Sequence, residues 1–332
     1  MAGTAVVVPT IREDCLRRFL AEWAQDFQDA LVIVVEDNPE RSFAVPGGAR
    51  HVSWAEIGKD LGADARIIPR RSSACRSYGT LLAVREGAEV IWHLDDDCYP
   101  EPGTKGDYLR VLRNNLACSR PQAAWWNTLG KRGVYPRGYP YGIRDKTRPV
   151  MIHHGLWSGV PDLDGRTQLE MPGYRLPPAQ WLDTVPYGRL FPMCGMSLAF
   201  RAEAAPLMYM LLMGQDHAGD RYPFDRFDDM WAGIMAKLAC DHLGWAVTSG
   251  YPSVEHSRAS DAARNAEIEA PGIAVHEDLW PYLKGVSLAG AKTAAECYLR
   301  FADAIEVFGG KPYWRELGEA MRRWTALTGD AN

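Results

Sequence analysis

Three consecutive aspartates follow an apolar segment in the first third of the chain. Residues 92–94 lead directly into Asp95, Asp96 and Asp97. In an extended chain the first and third carboxylates point to one face and the second to the other. Two like charges on one face repel each other, but such hard oxygen ligands can bind a divalent cation that also contacts phosphate. The alternative is a solvated acidic turn that caps the next helix.

A histidine far along the chain could complete such a metal site. His256 follows a predicted strand and is one of eight histidines. Imidazole suits Mn²⁺ and would join a carboxylate-rich set of ligands. A single histidine is more often an ordinary surface or core residue, so this assignment depends on the aspartates. Together, Asp95, Asp97 and His256 are the predicted ligands of Mn²⁺ or Mg²⁺.

Several arginines are placed where an anion could bind. Arg137 and Arg144 alternate with three tyrosines in the loop 133–145. Guanidinium groups bind phosphate in a bidentate manner, and aromatic rings stack on sugars or bases. The same loop also fits an exposed Pro- and Gly-rich segment whose arginines serve solubility. Three further arginines follow predicted strands or begin predicted helices, where anions commonly bind: Arg12, Arg71 and Arg76.

The elements that must position these residues alternate between strands and helices. Apolar segments without a two-residue alternation predict strands buried on both faces, and intervening helices predict a parallel sheet. Ligands bind such a sheet at the carboxyl ends of its strands. Strands are predicted at 5–8, 31–35, 65–68, 89–94, 123–126, 196–200 and 246–248, and helices at 13–25, 53–61, 73–86, 107–116, 204–212 and 227–243. Residues 130–190 are predicted to form a long functional loop, and residues 273–327 a helical cap.

Composition excludes several classes of protein. The 332 residues carry a net charge of −5, with 47% hydrophobic and 24% charged residues, which is ordinary globular usage. An acidic excess argues against a nucleic-acid partner, and no apolar run approaches the roughly 20 residues of a membrane span. The N-terminus does not resemble a signal peptide. Seven scattered cysteines without a CxxC pair fit a reducing compartment, so we expect a cytoplasmic protein.

A series of motifs makes the sequence recognisable. Over about residues 5–300 the chain resembles the plant reversibly glycosylated polypeptide, or UDP-arabinopyranose mutase, family. The motifs that carry the resemblance come in order: VVPTIR at 7–12, SACR at 73–76, DDDC at 95–98, WNTL at 126–129, RGYP at 137–140, HGLW at 154–157, PDLDGRTQL at 161–169, LFPMCGMSLAF at 190–200, FDDMWAG at 227–233, CDHL at 240–243 and HSRAS at 256–260.

The resemblance implies a fold and an activity. The fold is α/β of the GT-A type, that of nucleotide-diphospho-sugar transferases, with a doubly wound mixed, mainly parallel sheet. The family uses a divalent metal and no flavin, and it interconverts the pyranose and furanose forms of a nucleotide sugar. Members can glycosylate themselves on an arginine, and Arg137 matches that position. We expect a catalytic domain over residues 1–265 and a helical extension over 266–332.

Two departures from the family pattern leave the nucleobase open. The pair before SACR is Arg71-Ser72 where plant members have Lys-Asp, and the turn at 37–40 differs from a DGDP-like turn. Both segments lie where this fold holds the base, so the nucleotide is UDP or GDP. Extra residues around 217–224 lie near the expected sugar pocket. The sugar is therefore arabinose or another, such as the 6-deoxyhexoses rhamnose and fucose.

The resemblance and the residue chemistry together assign roles. Arg137, with Arg144 beside it, either stabilises charge or accepts the sugar transiently; a guanidinium is a poor nucleophile, which favours charge stabilisation. Asp228 and Asp229 either transfer hydroxyl protons or cap the long helix that they begin. The expected nucleotide-binding residues are Pro9, Thr10, Arg12, Asp37, Arg76, Asp95, Asp96 and Arg258.

Three functions fit these residues. The first is a nucleotide-sugar mutase, whose product is an isomeric nucleotide sugar. The second is a self- or protein-arginine glycosyltransferase, which would release a free nucleoside diphosphate. The third is a non-catalytic sugar-nucleotide binding or scaffold protein, which need not retain an acidic triplet and His256. The expected partner is a nucleotide sugar, and a homo-oligomer is left open.

Overall fold

Valine- and isoleucine-rich segments of the N-terminal half form strands that are buried on both faces. The computed structural model describes residues 3–46, 48–121, 124–131, 133–257 and 260–329. Val6 and Val8 of the first strand enter one hydrophobic core, and Ala5 and Val7 enter another on the opposite face. Ten strands lie within the described residues: β1 (Thr4–Thr10), β2 (Ala30–Glu36), β3 (Arg50–Val52), β4 (Val90–Leu94), β5 (Cys98–Pro100), β6 (Ser119–Pro121), β7 (Thr147–Gly159), β8 (Leu182–Thr184), β9 (Ser197–Arg201) and β10 (Ala246–His256).

Helices cover both faces of this sheet. The described part of the chain forms α1 (Glu13–Glu22), α2 (Trp54–Leu61), α3 (Arg76–Arg85), α4 (Tyr108–Ala117), α5 (Gly165–Glu170), α6 (Asp228–Leu243), α7 (Ala262–Lys284), α8 (Ala294–Val307) and α9 (Pro312–Gly329). α1 and α4 enclose one core, which contains Trp23, Trp92 and Tyr108. None of the described helices is long and apolar enough to span a bilayer.

The strand order is β3-β2-β1-β4-β9-β7-β10-β5, with β6 beside β7 and β8 beside β10. β3, β2, β1 and β4 pair in parallel, as do β7 and β10. β9 runs against both of its neighbours, so β4, β7 and β10 have the same direction. Six of the ten strands formed by described residues therefore end at one edge of the sheet. This confirms the predicted α/β class with a mixed sheet.

The segment 130–190, predicted as a long loop, instead contributes the central strand β7. The prediction was wrong because this strand contains Pro149, Gly155 and two histidines, which interrupt the expected apolar pattern. His153 and His154 are nevertheless buried in the sheet. Burial lowers the pKa of His153 to about 3 and that of His154 to about 4, so both rings are neutral at pH 7.

Four smaller predictions also differ from the structure. The strand predicted at 65–68 is mostly a 3₁₀ turn (Gly62–Ile67), and the helix predicted at 204–212 is a shorter 3₁₀ turn (Ala202–Leu207) that contains Pro206. Of the strand predicted at 123–126, residue 123 lies outside the described residues and 124–126 are not extended into a strand. The strand predicted at 246–248 continues to His256.

The C-terminal helices pack against the sheet domain, as the predicted helical extension requires. Tyr313 donates a hydrogen bond to the carbonyl oxygen of Leu212 at 2.8 Å, and Trp324 donates one to that of Ala205 at 3.2 Å. Residues of α8 and α9 belong to the same hydrophobic core as Val7 of β1. The boundary expected at residues 265 and 266 falls within α7, and the division into two domains stays a prediction.

Candidate functional site

A cleft of about 1200 Å³ opens at the edge where the parallel strands end. Its predicted lining residues stand at the ends of elements: Thr10 ends β1, Asp37 follows β2, Asp95 follows β4, and His256 ends β10. The following predicted site residues line the cleft: Pro9, Thr10, Arg12, Asp37, Arg76, Asp95, Asp96, Asp97, Asp228, Asp229 and His256. Distant parts of the sequence therefore meet in one cavity.

Asp96, the middle residue of the triplet, is buried and bound to β1. Thr10 Oγ1 donates to its Oδ2 at 2.6 Å, and Arg12 contacts the same carboxylate through Nε and a terminal nitrogen. Burial raises the pKa of Asp96, and the bonds from Arg12 and Thr10 oppose this effect. The carboxylate thus anchors the loop after β1 to the loop after β4.

Asp95 pairs with the arginine that begins α3. A terminal nitrogen of Arg76 lies 2.6 Å from Asp95 Oδ1, the other terminal nitrogen donates to the carbonyl of Gly195 at 2.7 Å, and Nε donates to that of Ser73 at 3.0 Å. The side chain of Arg76 is buried. Burial lowers its pKa, but the carboxylates of Asp95, Asp228 and Asp229 more than compensate. Arg76 is therefore a fixed positive charge in the floor of the cleft.

Asp97 and His256 lie close together, as predicted for metal ligands. His256 Nε2 is 3.8 Å from Asp97 Oδ1, and Asp97 Oδ2 is 3.4 Å from Arg12. His256 Nδ1 lies 2.7 Å from the carbonyl oxygen of Val160. A carbonyl can only accept, so Nδ1 donates this bond, and Nε2 is the ring nitrogen that lies beside Asp97. A histidine held through Nδ1 and a neighbouring carboxylate fit a cation such as Mn²⁺.

The third predicted ligand is not assembled with the other two. The carboxylate of Asp95 is paired with Arg76 instead. Among the described residues, no three His, Cys, Asp or Glu side chains are grouped to hold a metal ion. The structure thus brings together two of the three expected ligands, and the metal assignment stays a prediction.

Asp37 lies at the end of the cleft where the nucleobase is expected. Its Oδ1 accepts a hydrogen bond from Trp54 Nε1 at 2.7 Å, and its Oδ2 accepts one from the backbone of Ser72 at 2.9 Å. Burial raises the pKa of Asp37, and these hydrogen bonds oppose the effect. Arg71 lies over the Trp54 ring. The two segments that depart from the family pattern are therefore in direct contact.

Asp228 and Asp229 form a second acidic group at the start of α6. The residue that caps the helix is Phe227, so neither aspartate is the N-cap. Asp229 accepts hydrogen bonds from the backbone nitrogens of Gly195 and Met230, both at 2.8 Å. Burial raises the pKa of both carboxyls, and the charge of Asp228 raises that of Asp229 further. At least one of them is thus suited to carry a proton near neutral pH.

The predicted loop arginines do not line the cleft. Arg137 is exposed, and Arg144 lies 3.6 Å from the centre of the Tyr141 ring and donates to the carbonyl of Tyr139 at 3.1 Å. Arg144 is thus bound by residues of its own loop. The catalytic roles of Arg137 and Arg144 stay predictions. The remaining predicted site residue, Arg258, lies outside the described residues.

The cleft contains other charged residues that the sequence pattern did not predict as site residues. Arg226 and Glu269 form an ion pair in its wall, and Asp162 lies in the same wall. Arg226 stands directly before the FDDMWAG motif, which could have indicated it. Glu269 had no such signal, because it lies in a helix that was expected to be an extension.

Comparisons with known proteins agree with the motifs. A family model described as reversibly glycosylated polypeptide matches residues 2–332. UDP-arabinopyranose mutase 1 of Arabidopsis thaliana is 35% identical over 345 residues, which cover 98% of this chain and 92% of that protein. The probable UDP-arabinopyranose mutase 1 of Solanum tuberosum is 36% identical, with coverages of 98% and 90%. Among solved structures, mannosyltransferase PcManGT from Pyrobaculum calidifontis, in complex with GDP-Man and Mn²⁺, matches with a TM-score of 0.39 and 15% identity over 99% of this chain and 84% of that chain.

Proposed function

The chain belongs to the reversibly glycosylated polypeptide family, and we propose that it interconverts the pyranose and furanose forms of a nucleotide sugar, with a divalent metal and without flavin. The observation that carries this proposal is the composition of the cleft. It combines the acidic triplet, the buried Arg76 and the pair Asp228–Asp229 in one cavity of about 1200 Å³. Small-molecule pockets usually measure about 300–1,000 Å³, so a nucleotide and its sugar can be accommodated together.

The nucleotide would lie along the ends of β1, β2 and β4. The base would contact the segment around Asp37 and Arg71, and the ribose and diphosphate would lie near Thr10 and Arg12. The sugar would then extend towards Asp229, near the start of α6. UDP is the first nucleotide to test because the relatives are named for UDP-arabinopyranose. GDP remains the alternative, because Arg71 and Asp37 lie in segments that depart from the family pattern.

Asp97 and His256 are the residues that would hold the metal ion. When bound, the ion supplies positive charge that stabilises a diphosphate leaving group. Asp95 would contribute as a third ligand if a bound nucleotide competes for Arg76. Arg12, whose side chain is 36% exposed, can reach a phosphate while Asp96 retains its bond to Thr10.

Ring exchange requires that one proton move between two sugar oxygens. In a pentopyranose O5 closes the ring and O4 carries hydrogen, whereas in the furanose these roles are reversed. The glycosyl–phosphate bond breaks, O4 replaces O5 at the anomeric carbon, and the bond to the same diphosphate forms again. Asp228 and Asp229 would accept the proton from O4 and return one to O5. Their raised pKa values allow one carboxyl to be protonated while the other is charged.

Product analysis tests the proposal. The protein should convert UDP-arabinopyranose, in the presence of Mn²⁺, into a nucleotide sugar of the same mass but a different chromatographic retention time. The same assay with GDP-linked 6-deoxyhexoses determines the base and the sugar. A chelator should stop the reaction, and added Mn²⁺ should restore it. Absence of an isomeric product from every donor would contradict the mutase assignment.

The glycosyltransferase alternative predicts a different product. It would release free nucleoside diphosphate and leave the sugar on an arginine. Arg137 does not line the cleft and is exposed, an arrangement that gives no support to transfer within one chain. Release of nucleoside diphosphate without an isomer, together with a mass increase of one sugar on the protein, would favour this alternative.

A further inference from the structure

An ion pair between two distant segments lies in the wall of the cleft. Arg226 precedes α6 and Glu269 belongs to α7, and Nε of the arginine donates to Oε1 of the glutamate at 2.7 Å. Both residues line the cavity. The side chain of Glu269 is 5% exposed, whereas that of Arg226 is 35% exposed. The carboxylate is therefore fixed inside the protein, while the guanidinium is accessible from the cleft.

Glu269 is held in place by a second element. The backbone nitrogen of Gly165 donates to its Oε2 at 2.7 Å. Gly165 begins α5, and a Cβ at this position would lie 2.3 Å from the backbone nitrogen of Ala266 in α7. The two helices thus touch through their backbones. The carboxylate joins α5, α7 and the segment before α6 at one point.

The backbone of Arg226 is also fixed. Its φ of 63° is left-handed, which is uncommon for a residue other than glycine. Its backbone nitrogen donates to Asp225 Oδ1 at 2.9 Å. The next residue, Phe227, packs against α7 so closely that a Cβ on Gly272 would lie 2.4 Å from the ring. These contacts define the direction of the arginine side chain.

Arg76 and Arg226 differ in the number of hydrogen-bond donors that remain free. Arg76 uses Nε and both terminal nitrogens in bonds to the protein. In the described part of the chain, the only hydrogen bond from the Arg226 side chain is that from Nε to Glu269. Both terminal nitrogens of Arg226 therefore remain as donors for a ligand, in the planar geometry that suits two neighbouring oxygens.

The charge around Arg226 favours neutral oxygens over phosphate. Burial lowers its pKa, but Glu269, Asp162 and Asp229 raise it by a larger amount. A guanidinium that is already compensated by carboxylates adds little attraction for a diphosphate, yet it still donates hydrogen bonds. The carboxylates of Asp162 and Asp229 accept hydrogen bonds. Donors beside acceptors match sugar hydroxyls, each of which both donates and accepts.

We propose that Arg226 binds hydroxyl groups of the sugar in the nucleotide-sugar substrate, and that Glu269 is the residue that positions it. This inference rests on the function proposed above. It assigns a part in sugar binding to α7, the helix that contains the expected boundary of the C-terminal extension.

Calorimetric titration separates sugar binding from nucleotide binding. In the presence of Mn²⁺, UDP and UDP-arabinopyranose are each titrated into the wild type and into Arg226→Ala. If the wild type prefers GDP, the GDP-linked counterparts are used instead. The Kd for the nucleoside diphosphate should stay within about twofold, and that for the nucleotide sugar should rise about tenfold, as expected for two lost hydrogen bonds. The matched control is Arg85→Ala, which removes an arginine paired with Asp60 at 2.6 Å outside the cleft. Both Kd values of this control should equal those of the wild type.

The positioning role is tested in a double-variant cycle. Glu269→Gln keeps an oxygen for Gly165 but removes the negative charge that pairs with Arg226. KM for the nucleotide sugar should then rise roughly threefold to tenfold, with a smaller change in kcat. In the Arg226→Ala background the same change should have no further effect on KM. Equal effects of Glu269→Gln in both backgrounds would overturn the positioning role.

The outcomes distinguish this inference from the proposed function. If the wild type binds neither nucleoside diphosphate nor nucleotide sugar, the proposed function fails. If the wild type binds both and Arg226→Ala changes neither Kd, or weakens both equally, the sugar contact is wrong while the proposed function stands. Arg226→Lys keeps the pairing with Glu269 but lacks the planar pair of donors, and it serves for the same comparison if the alanine variant does not fold.

Discussion

The cleft contains two acidic groups whose negative charges are compensated in different ways. In the triplet after β4, Arg76 binds Asp95 and Arg12 binds Asp96. Among the residues that the structure describes, the pair at the start of α6 forms no ion pair, and its carboxyls have raised pKa values. The carboxylate of Asp229 accepts from backbone nitrogens instead. The first group is compensated by arginine, and the second is compensated in part by protons.

This difference corresponds to two chemical tasks. Carboxylates paired with arginine present hard oxygen atoms, which suit contact with a metal ion. A carboxyl with a raised pKa gains and loses a proton near neutrality, which suits acid–base chemistry on a hydroxyl. Arg76 connects the groups, because its guanidinium binds Asp95 and also lowers the pKa of Asp228. A change at Arg76 should therefore disturb both.

The largest effect is expected from Arg76→Met. The substitution leaves Asp95 and the buried Asp228 without their cation, and breaking a buried ion pair on one side costs about 3–5 kcal/mol. We expect the free energy of unfolding to fall by that amount in urea denaturation at pH 7. The matched variant is Arg12→Met, whose arginine is 36% exposed and whose partner Asp96 keeps the bond from Thr10. Its loss should be clearly smaller, and equal losses would show that burial of Arg76 does not matter.

A change at Asp97 separates the two acidic groups by metal dependence. A ligand at about 100 times its Kd stabilises the folded state by roughly 2.7 kcal/mol. For the wild type, Mn²⁺ should therefore add to the rise in Tm produced by the nucleoside diphosphate. Asp97→Ala should lose the part that depends on Mn²⁺ and keep the part produced by nucleotide alone.

Asp228→Asn is the matched control for the metal experiment. It alters the other acidic group and should retain the Mn²⁺-dependent rise in Tm. If both variants lose this rise, the two acidic groups do not differ in metal binding. If neither loses it, Asp97 is not a ligand.

The strands that end at the cleft could be predicted because their apolar runs are continuous. β1, β2 and β4, and the position of Asp95–Asp97 after β4, follow from local pattern alone. β7 could not be predicted in this way, because His153 and His154 read as polar residues. Their burial as neutral rings depends on neighbours such as Thr248 and Ser249, which come from another part of the sequence and lie 3.1 and 3.0 Å from their Nδ1 atoms.

The candidate site shows the same limit of local pattern. Residue types indicated that Asp95, Asp97 and His256 could bind a metal, but not that Arg76 would bind Asp95. Likewise, nothing in the helix that contains Glu269 indicates that it reaches Arg226. Such pairings are determined by tertiary packing between segments far apart in sequence. They decide which charges are compensated, and hence the chemistry of each acidic group.

The smallest effect is expected in the pH dependence of stability, and it addresses the second acidic group directly. The folded-state pKa of Asp229 is raised above the unfolded value of about 3.9. The folded state therefore binds more protons, and stability is lost as pH rises through the folded pKa. His153 and His154 act in the opposite direction, because burial depresses their pKa values to about 3 and about 4, and burial also lowers the pKa values of His93 and His276. Their contribution is lost as pH falls through the unfolded value of about 6.5, and it still changes between about pH 6.5 and 7.5.

The comparison of the wild type with Asp229→Asn isolates this carboxyl, because the histidines are the same in both proteins. A single group changes the free energy of unfolding by no more than about 1.4 kcal/mol per pH unit, and Asp229 is partly accessible, so between pH 6.5 and 8 we expect the wild type to lose about 1 kcal/mol relative to the variant. Asp229→Asn should remove this contribution over the whole range from the unfolded value of about 3.9 to above the folded pKa, while the contribution of the histidines is untouched. Turnover by the variant should fall, because it cannot exchange a proton with the sugar. A slope equal to that of the wild type would mean that Asp229 is charged throughout this range, and the contrast between the two acidic groups would then be lost.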